Sequence, residues 1–181
     1  EAATRYGLAL TLMRMKDFAG AKKQYETLRQ TAGTHPIVDT LGCRIRETAG
    51  ETDAALACYR DAAKAYPKHR ALVYAYSEAL LQAGRADPAL DVIGGGLQQF
   101  SDDPQLYLLQ ARAYALQGKR LAQHRATGEA YARMGNVRGA VEQMQIALKS
   151  GDGDFYQLSV TEARLRELRK IADAERKEQR R

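Results

Sequence analysis

The chain has 181 residues, 45% of them apolar and 28% charged, and a net charge of +6. That length is enough to bury a core, and no apolar run approaches the roughly 18 residues a membrane-spanning helix needs. Helix formers abound, while Val, Ile and Thr never alternate over a strand length, so the chain is expected to be all-α.

Ten helices are expected, at residues 2–15, 18–32, 36–49, 52–66, 69–83, 86–99, 104–117, 120–134, 137–149 and 157–177. The first opens mid-pattern at EAATRYGLALTLMRM, without an initiator methionine, which predicts a piece of a longer or processed chain. From there a period of 34 residues runs through the chain: Ala21, Ala55 and Ala89 recur at that spacing. A large residue follows each alanine by four (Tyr25, Tyr59, Ile93), and a small one precedes it by twelve (Ala9, Cys43, Ser77). Two helices cross closely only where side chains are small, and the large residue then fills the adjoining gap. Cys43 and Cys58 show neither metal spacing nor a disulfide framework, and are read as small apolar packing residues. Pro67 closes the second period, where a helix must stop. Gly94, Gly95 and Gly96 fall at the end of the sixth helix and are expected to fray it.

Asp102 or Asp103 caps the seventh helix, with Pro104 at its first position. The register then breaks near residues 118–123: Ala111 to Gly128 is 17 residues, half a period. The helix near 120–134 is therefore expected to close one repeat and open the next. After Ala140, Met144 and Ala147, the stretch Ser150–Lys170 reads SGDGDFYQLSVTEARLRELRK. Asp152 and Asp154 begin like a calcium loop, but Tyr156 and Gln157 stand where a ligand and a glycine are required. The better reading is a joint: Ser150 and Gly151 stop the ninth helix, and Asp154 caps the tenth. Leu158, Thr161, Leu165, Leu168 and Ala172 then mark one narrow apolar face that covers the array. Residues 1–150 are accordingly taken as the repeat array, and 151–181 as linker, capping helix and charged tail.

This pattern resembles the tetratricopeptide repeat, two antiparallel helices in 34 residues. The resemblance implies an all-α solenoid of about ten helices with a C-terminal capping helix, and a protein-binding role. "GEAYARMGNVRGAVEQMQIAL" followed by "GDGDFYQLSVTEARLRELRK" further resembles the C-terminal end of BepA-type bacterial periplasmic zinc metallopeptidases, best over about 100–172. That likeness implies a periplasmic location, a role in outer-membrane protein quality control, and docking onto the barrel-assembly machinery or its substrates. It also implies zinc, but in a peptidase domain upstream. This chain has no HExxH, and His35, His69 and His124 stand alone in separate repeats, so no catalytic residue, metal site or cofactor is assigned here.

The register places a partner-binding groove on the first helix of each repeat. Its expected lining is Tyr6, Met13 and Arg14, then Arg44 and Glu47, then Tyr74, Glu78 and Leu81. Leu108, Arg112 and Leu116 follow, and the half-repeat helix adds Arg125, Glu129 and Arg133. Arginines beside aromatics suit an extended peptide. The positions that would hold a chaperone's terminal carboxylate are Tyr6, Leu10 and Arg44, which disfavours that role. The alternatives are a tetratricopeptide scaffold or chaperone of another family and a basic nucleic-acid binder. The glutamates among the groove arginines argue against the latter, so no nucleic acid is expected.

Overall fold

The computed structural model describes residues 1–178, which hold ten α-helices and no strand. They are α1 (Ala2–Arg14), α2 (Phe18–Ala32), α3 (Pro36–Thr48), α4 (Thr52–Ala65), α5 (Arg70–Gln82), α6 (Ala86–Gln99), α7 (Pro104–Leu116), α8 (Arg120–Arg133), α9 (Val137–Leu148) and α10 (Phe155–Glu178). The chain divides into two compact units, Glu1–Ala83 and Gly84–Arg181.

In Glu1–Ala83, consecutive helices pack pairwise. Ala9, Ala21 and Ala55 are at most 1% exposed, so the small residues lie at the crossings the period marked. Tyr25 and Leu28 fill the adjoining space with Met13, Leu41 and Ile45. The start of α3 meets the end of α4 through Tyr66 and Asp39 (2.8 Å), so the pair is antiparallel. One close approach lies outside the register: a Cβ added to Gly42 on α3 would clash with the hydroxyl end of the Tyr25 ring on α2.

The cysteines correct their reading. Cys43 and Cys58 form a disulfide between α3 and α4, with Cα atoms 5.4 Å apart. Cys43 occupies the small-residue crossing position, and that closeness brings its sulfur to Cys58 on the facing helix.

In Gly84–Arg181, α8 packs against both α7 and α9. Gly128 makes the second crossing possible, since a Cβ there would lie 3.3 Å from the Ala140 carbonyl oxygen. α6 continues through Gly94–Gly96 to Gln99, and Phe100 N–H donates to Gly96 O at 2.8 Å, so the glycines do not fray the helix there. α10 lays Leu165 and Leu168 over Val137, Ala140 and Met144 of α9, giving the array a closing face.

The caps are built locally. Asp103 accepts from Gln105 N–H at 2.9 Å. Asp154 accepts from Gln157 N–H at 2.7 Å while Gln157 Oε1 accepts from Asp154 N–H at 3.1 Å, a reciprocal cap for α10. Helix exits follow the period as well: Gly50, Gly84 and Gly118 all take positive φ, near 70–80°. The matching position of the first repeat is Lys16, with φ 61°, which takes the same left-handed turn without glycine.

Candidate functional site

Five of the expected groove residues share one cavity in Glu1–Ala83. Tyr6 from α1, Arg44 and Glu47 from α3, and Tyr74 and Glu78 from α5 line an open space of about 680 Å³. Helical spacing of three and four residues puts Arg44 and Glu47, and likewise Tyr74 and Glu78, on one face of each helix. Ile37, Thr40 and His69 line the same cavity, among residues at the starts of α3 and α5.

Tyr59 also lines this cavity, although the register reads it only as a gap-filler. Its hydroxyl donates to Glu47 Oε2 at 2.7 Å, fixing the carboxylate. Burial, and then the hydrogen bond to Glu47, push this phenol far above its ordinary value, so it remains a donor. Its ring stacks on Tyr76, with centroids 6.1 Å apart. The period places Tyr59 at the α3–α4 crossing, but the α3 atom its hydroxyl meets does not recur from repeat to repeat, so the sequence carries no signal for this pairing.

Other expected groove residues differ. Met13 is 6% exposed and packs in the core, and its remaining surface lines a smaller open space together with Arg14 and Arg44. Leu81 is 5% exposed and buried. Leu81 corrects the groove reading: its face turns inward, where an apolar side chain is stabilised by burial.

In Gly84–Arg181, Arg112 and Leu116 are exposed on α7, and Leu108 and Arg125 are half-buried. Glu129 and Arg133 form part of an ion-pair network. Glu129 accepts from Arg164 Nε at 2.9 Å and Arg164 Nη2 at 3.1 Å, and from Arg133 Nη1 at 2.6 Å. Burial raises the Glu129 carboxyl, but the two guanidinium partners outweigh it and hold it below its ordinary value. Arg133 lies over the Tyr107 ring at 4.0 Å and donates to the Tyr107 hydroxyl at 2.9 Å. These residues tie α8 to α7 and α10. The joint before α10 makes a further tie: Asp152 accepts from Leu121 N–H at 2.9 Å, capping α8 from 31 residues away.

A second open space in Glu1–Ala83, of about 690 Å³, escaped the sequence reading. Arg29, Asp39, Arg46, Cys58 and Tyr66 line it. Several of its polar groups are already engaged: Tyr66 donates to Asp39, and Arg46 donates to Gly42 O on its own helix at 2.8 Å.

Residues 48–113 match the sequence profile of the tetratricopeptide repeat. No curated protein matches the chain. Among solved structures, the chain is similar to the MamA RS-1 ArsTM double mutant, at 15% identity and TM-score 0.63, covering 96% of this chain and 97% of that one. TTC0263, a thermophilic TPR protein of Thermus thermophilus, is similar at 19% identity and TM-score 0.55, covering 90% and 98%. MamA 41-end from Desulfovibrio magneticus RS-1 is similar at 16% identity and TM-score 0.51, covering 97% and 92%. The fold is the tetratricopeptide-repeat fold. With an open groove on its first, third and fifth helices, the chain is a protein-interaction module. No described helix is long and apolar enough to cross a membrane.

Proposed function

We propose that this tetratricopeptide-repeat chain is the partner-binding part of a periplasmic quality-control peptidase of the BepA type, docking components or substrates of outer-membrane protein assembly. The observation that carries the reading is the convergence of Tyr6, Arg44, Glu47, Tyr74 and Glu78 on one groove. Mixed charge beside aromatic rings suits an extended protein segment better than a polyanion. The Cys43–Cys58 disulfide supports an oxidising compartment such as the periplasm, because intracellular thiols are kept reduced. The donor set does not fit a zinc ion: among the described residues no group of three or more His, Cys, Asp or Glu could hold a metal, and both cysteines are bonded to each other. Zinc and peptide hydrolysis would therefore belong to a domain outside this sequence.

The test is binding of the chain to purified barrel-assembly components and to unfolded outer-membrane proteins, by calorimetry. The wild type should bind at least one of them, and Arg44→Glu with Tyr74→Ala should weaken that binding about tenfold or more while circular dichroism is unchanged. Binding to neither points to a tetratricopeptide scaffold of another family. Tight RNA binding that falls steeply with salt points to a nucleic-acid binder.

A further inference from the structure

We infer that Cys58 is a thiol-exchange site: a small thiol enters the second open space of Glu1–Ala83 and forms a mixed disulfide with the Cys58 sulfur, beside the Arg46 guanidinium. Cys43 is released as the buried partner that can reverse the step.

The two bonded sulfurs are not equivalent. Cys43 is 0% exposed, whereas Cys58 is half-buried and lines the open space of about 690 Å³. Ala54 and Ala62, one turn to either side of Cys58 on the same face of α4, line that space as well. Their methyl groups are too short to cover the sulfur between them. Exchange requires a thiolate to reach one sulfur of the disulfide, and only Cys58 offers that access. A space of this volume admits a thiol of tripeptide size. Cys58 does not line the groove that holds Glu47 and Tyr74, so this site stands apart from the interaction reading.

The charge around Cys58 favours the same chemistry. Arg46 Nη1 lies 3.9 Å from Cys58 Sγ, and its donation to Gly42 O at 2.8 Å holds the guanidinium in place. The attacking thiolate carries a negative charge that spreads over the reacting sulfurs, and a fixed cation at this distance stabilises it. Two carboxylates line the space and would oppose that charge, but both have cationic or hydroxyl partners. Asp39 accepts from the Tyr66 hydroxyl at 2.8 Å and lies 3.9 Å from Arg29, and Asp61 accepts from Arg60 Nε at 3.2 Å.

The step balances without a further oxidant or reductant. The thiolate's electron pair forms a bond to Cys58 Sγ, the bond between Cys43 and Cys58 breaks, and its electron pair leaves on the Cys43 sulfur. That sulfur takes up the proton the incoming thiol gave to water. In reverse, Cys43 attacks Cys58 Sγ, restores the disulfide and expels the thiol.

The experiment incubates the full, oxidised chain with reduced glutathione. Samples are quenched over time with N-ethylmaleimide in acidic urea and mapped by peptide mass spectrometry. Glutathione should appear on Cys58 and maleimide on Cys43, in about tenfold or greater excess over the opposite arrangement. The same reaction begun in urea should lose this preference, because unfolding exposes both sulfurs. In a second measurement, Cys43→Ser should take up glutathione from glutathione disulfide about tenfold faster than Cys58→Ser. The wild-type mapping decides alone if circular dichroism shows either variant unfolded. Arg46→Met should slow the wild-type exchange about threefold or more, and Arg46→Lys should restore most of the rate. Glutathione mainly on Cys43, equally on both cysteines or on neither overturns the site. An Arg46→Met rate within about twofold of wild type overturns it as a charge-assisted one.

Discussion

In Glu1–Ala83, α3 and α4 are joined by a covalent bond between Cys43 and Cys58. In Gly84–Arg181, α8 and α10 are joined by a carboxylate, Glu129, held between the guanidinium groups of Arg133 and Arg164. Each tie lies beside a close helix crossing built on small residues, but the chemistry differs and so does the stress that undoes it. A disulfide is indifferent to mild acid and is lost to a reductant. An ion pair behaves the opposite way. The two units should therefore fail under different conditions, although the same 34-residue pattern underlies both.

The largest expected effect is on the covalent side. The cysteines are 15 residues apart, and a loop of that length is stabilised by about 3 kcal/mol when closed. Reduction, or Cys43→Ala with Cys58→Ala, should lower the unfolding free energy by about that amount. Hydrogen exchange read by mass spectrometry should show lost protection across residues 36–65 and little change across 120–168. Equal loss in both stretches, or none, breaks the contrast.

The ionic side should respond to Glu129→Gln. Removing the charge takes from Arg133 and Arg164 the partly buried carboxylate they share and leaves them only the more exposed Asp102 and Glu167, at a cost of about 1–2 kcal/mol. The folded carboxyl of Glu129 is held below its ordinary value of 4.5. A depressed carboxyl contributes stability that is fully present above the unfolded value and is lost as the pH falls through the folded value. Urea unfolding should thus show the full gap between wild type and variant at neutral pH. The gap should shrink once the pH drops below 4.5. Asp152, also held below its ordinary value by the hydroxyl of Ser150 and the backbone N–H of Leu121, should add to the acid loss in the same unit. A gap that does not change with pH would show that Glu129 acts by packing alone.

The contrast also marks what could be read in the sequence. The helices, their crossings and five groove residues in one cavity follow from a period, because a repeat forces small residues to recur where helices touch. Partners that depend on which atoms meet across a crossing do not recur and were missed. Cys43 was placed correctly at a crossing, but nothing in its spacing showed that Cys58 faces it. Glu129 and Arg133 sit on the groove face by register, yet Arg164 comes from α10, which lies outside the repeat and 35 residues from Glu129. Asp152 was read as part of a joint, whereas its carboxylate reaches back to cap α8. Tyr59 shows both sides of this: its ring was expected as filler, and its hydroxyl sets the geometry of Glu47.

The smallest effect tests one backbone position shared by both units. Lys16 and Gly118 occupy the same place in the period, at φ 61° and 69°. A left-handed backbone brings a side chain's Cβ close to the following carbonyl, a strain that glycine lacks. Replacing Lys16 with glycine removes that strain but gives the unfolded chain more freedom, so the two effects partly offset each other. The net gain should be about 0.5–1 kcal/mol, read as a rise in the denaturant midpoint at unchanged slope. Gly118→Ala should lose about 1 kcal/mol, because it installs the strain that Lys16 already bears. Opposite signs at matched positions would show that the repeat imposes one turn geometry on both units whatever residue occupies it. If Lys16→Gly destabilises the chain, the lysine side chain itself stabilises that turn.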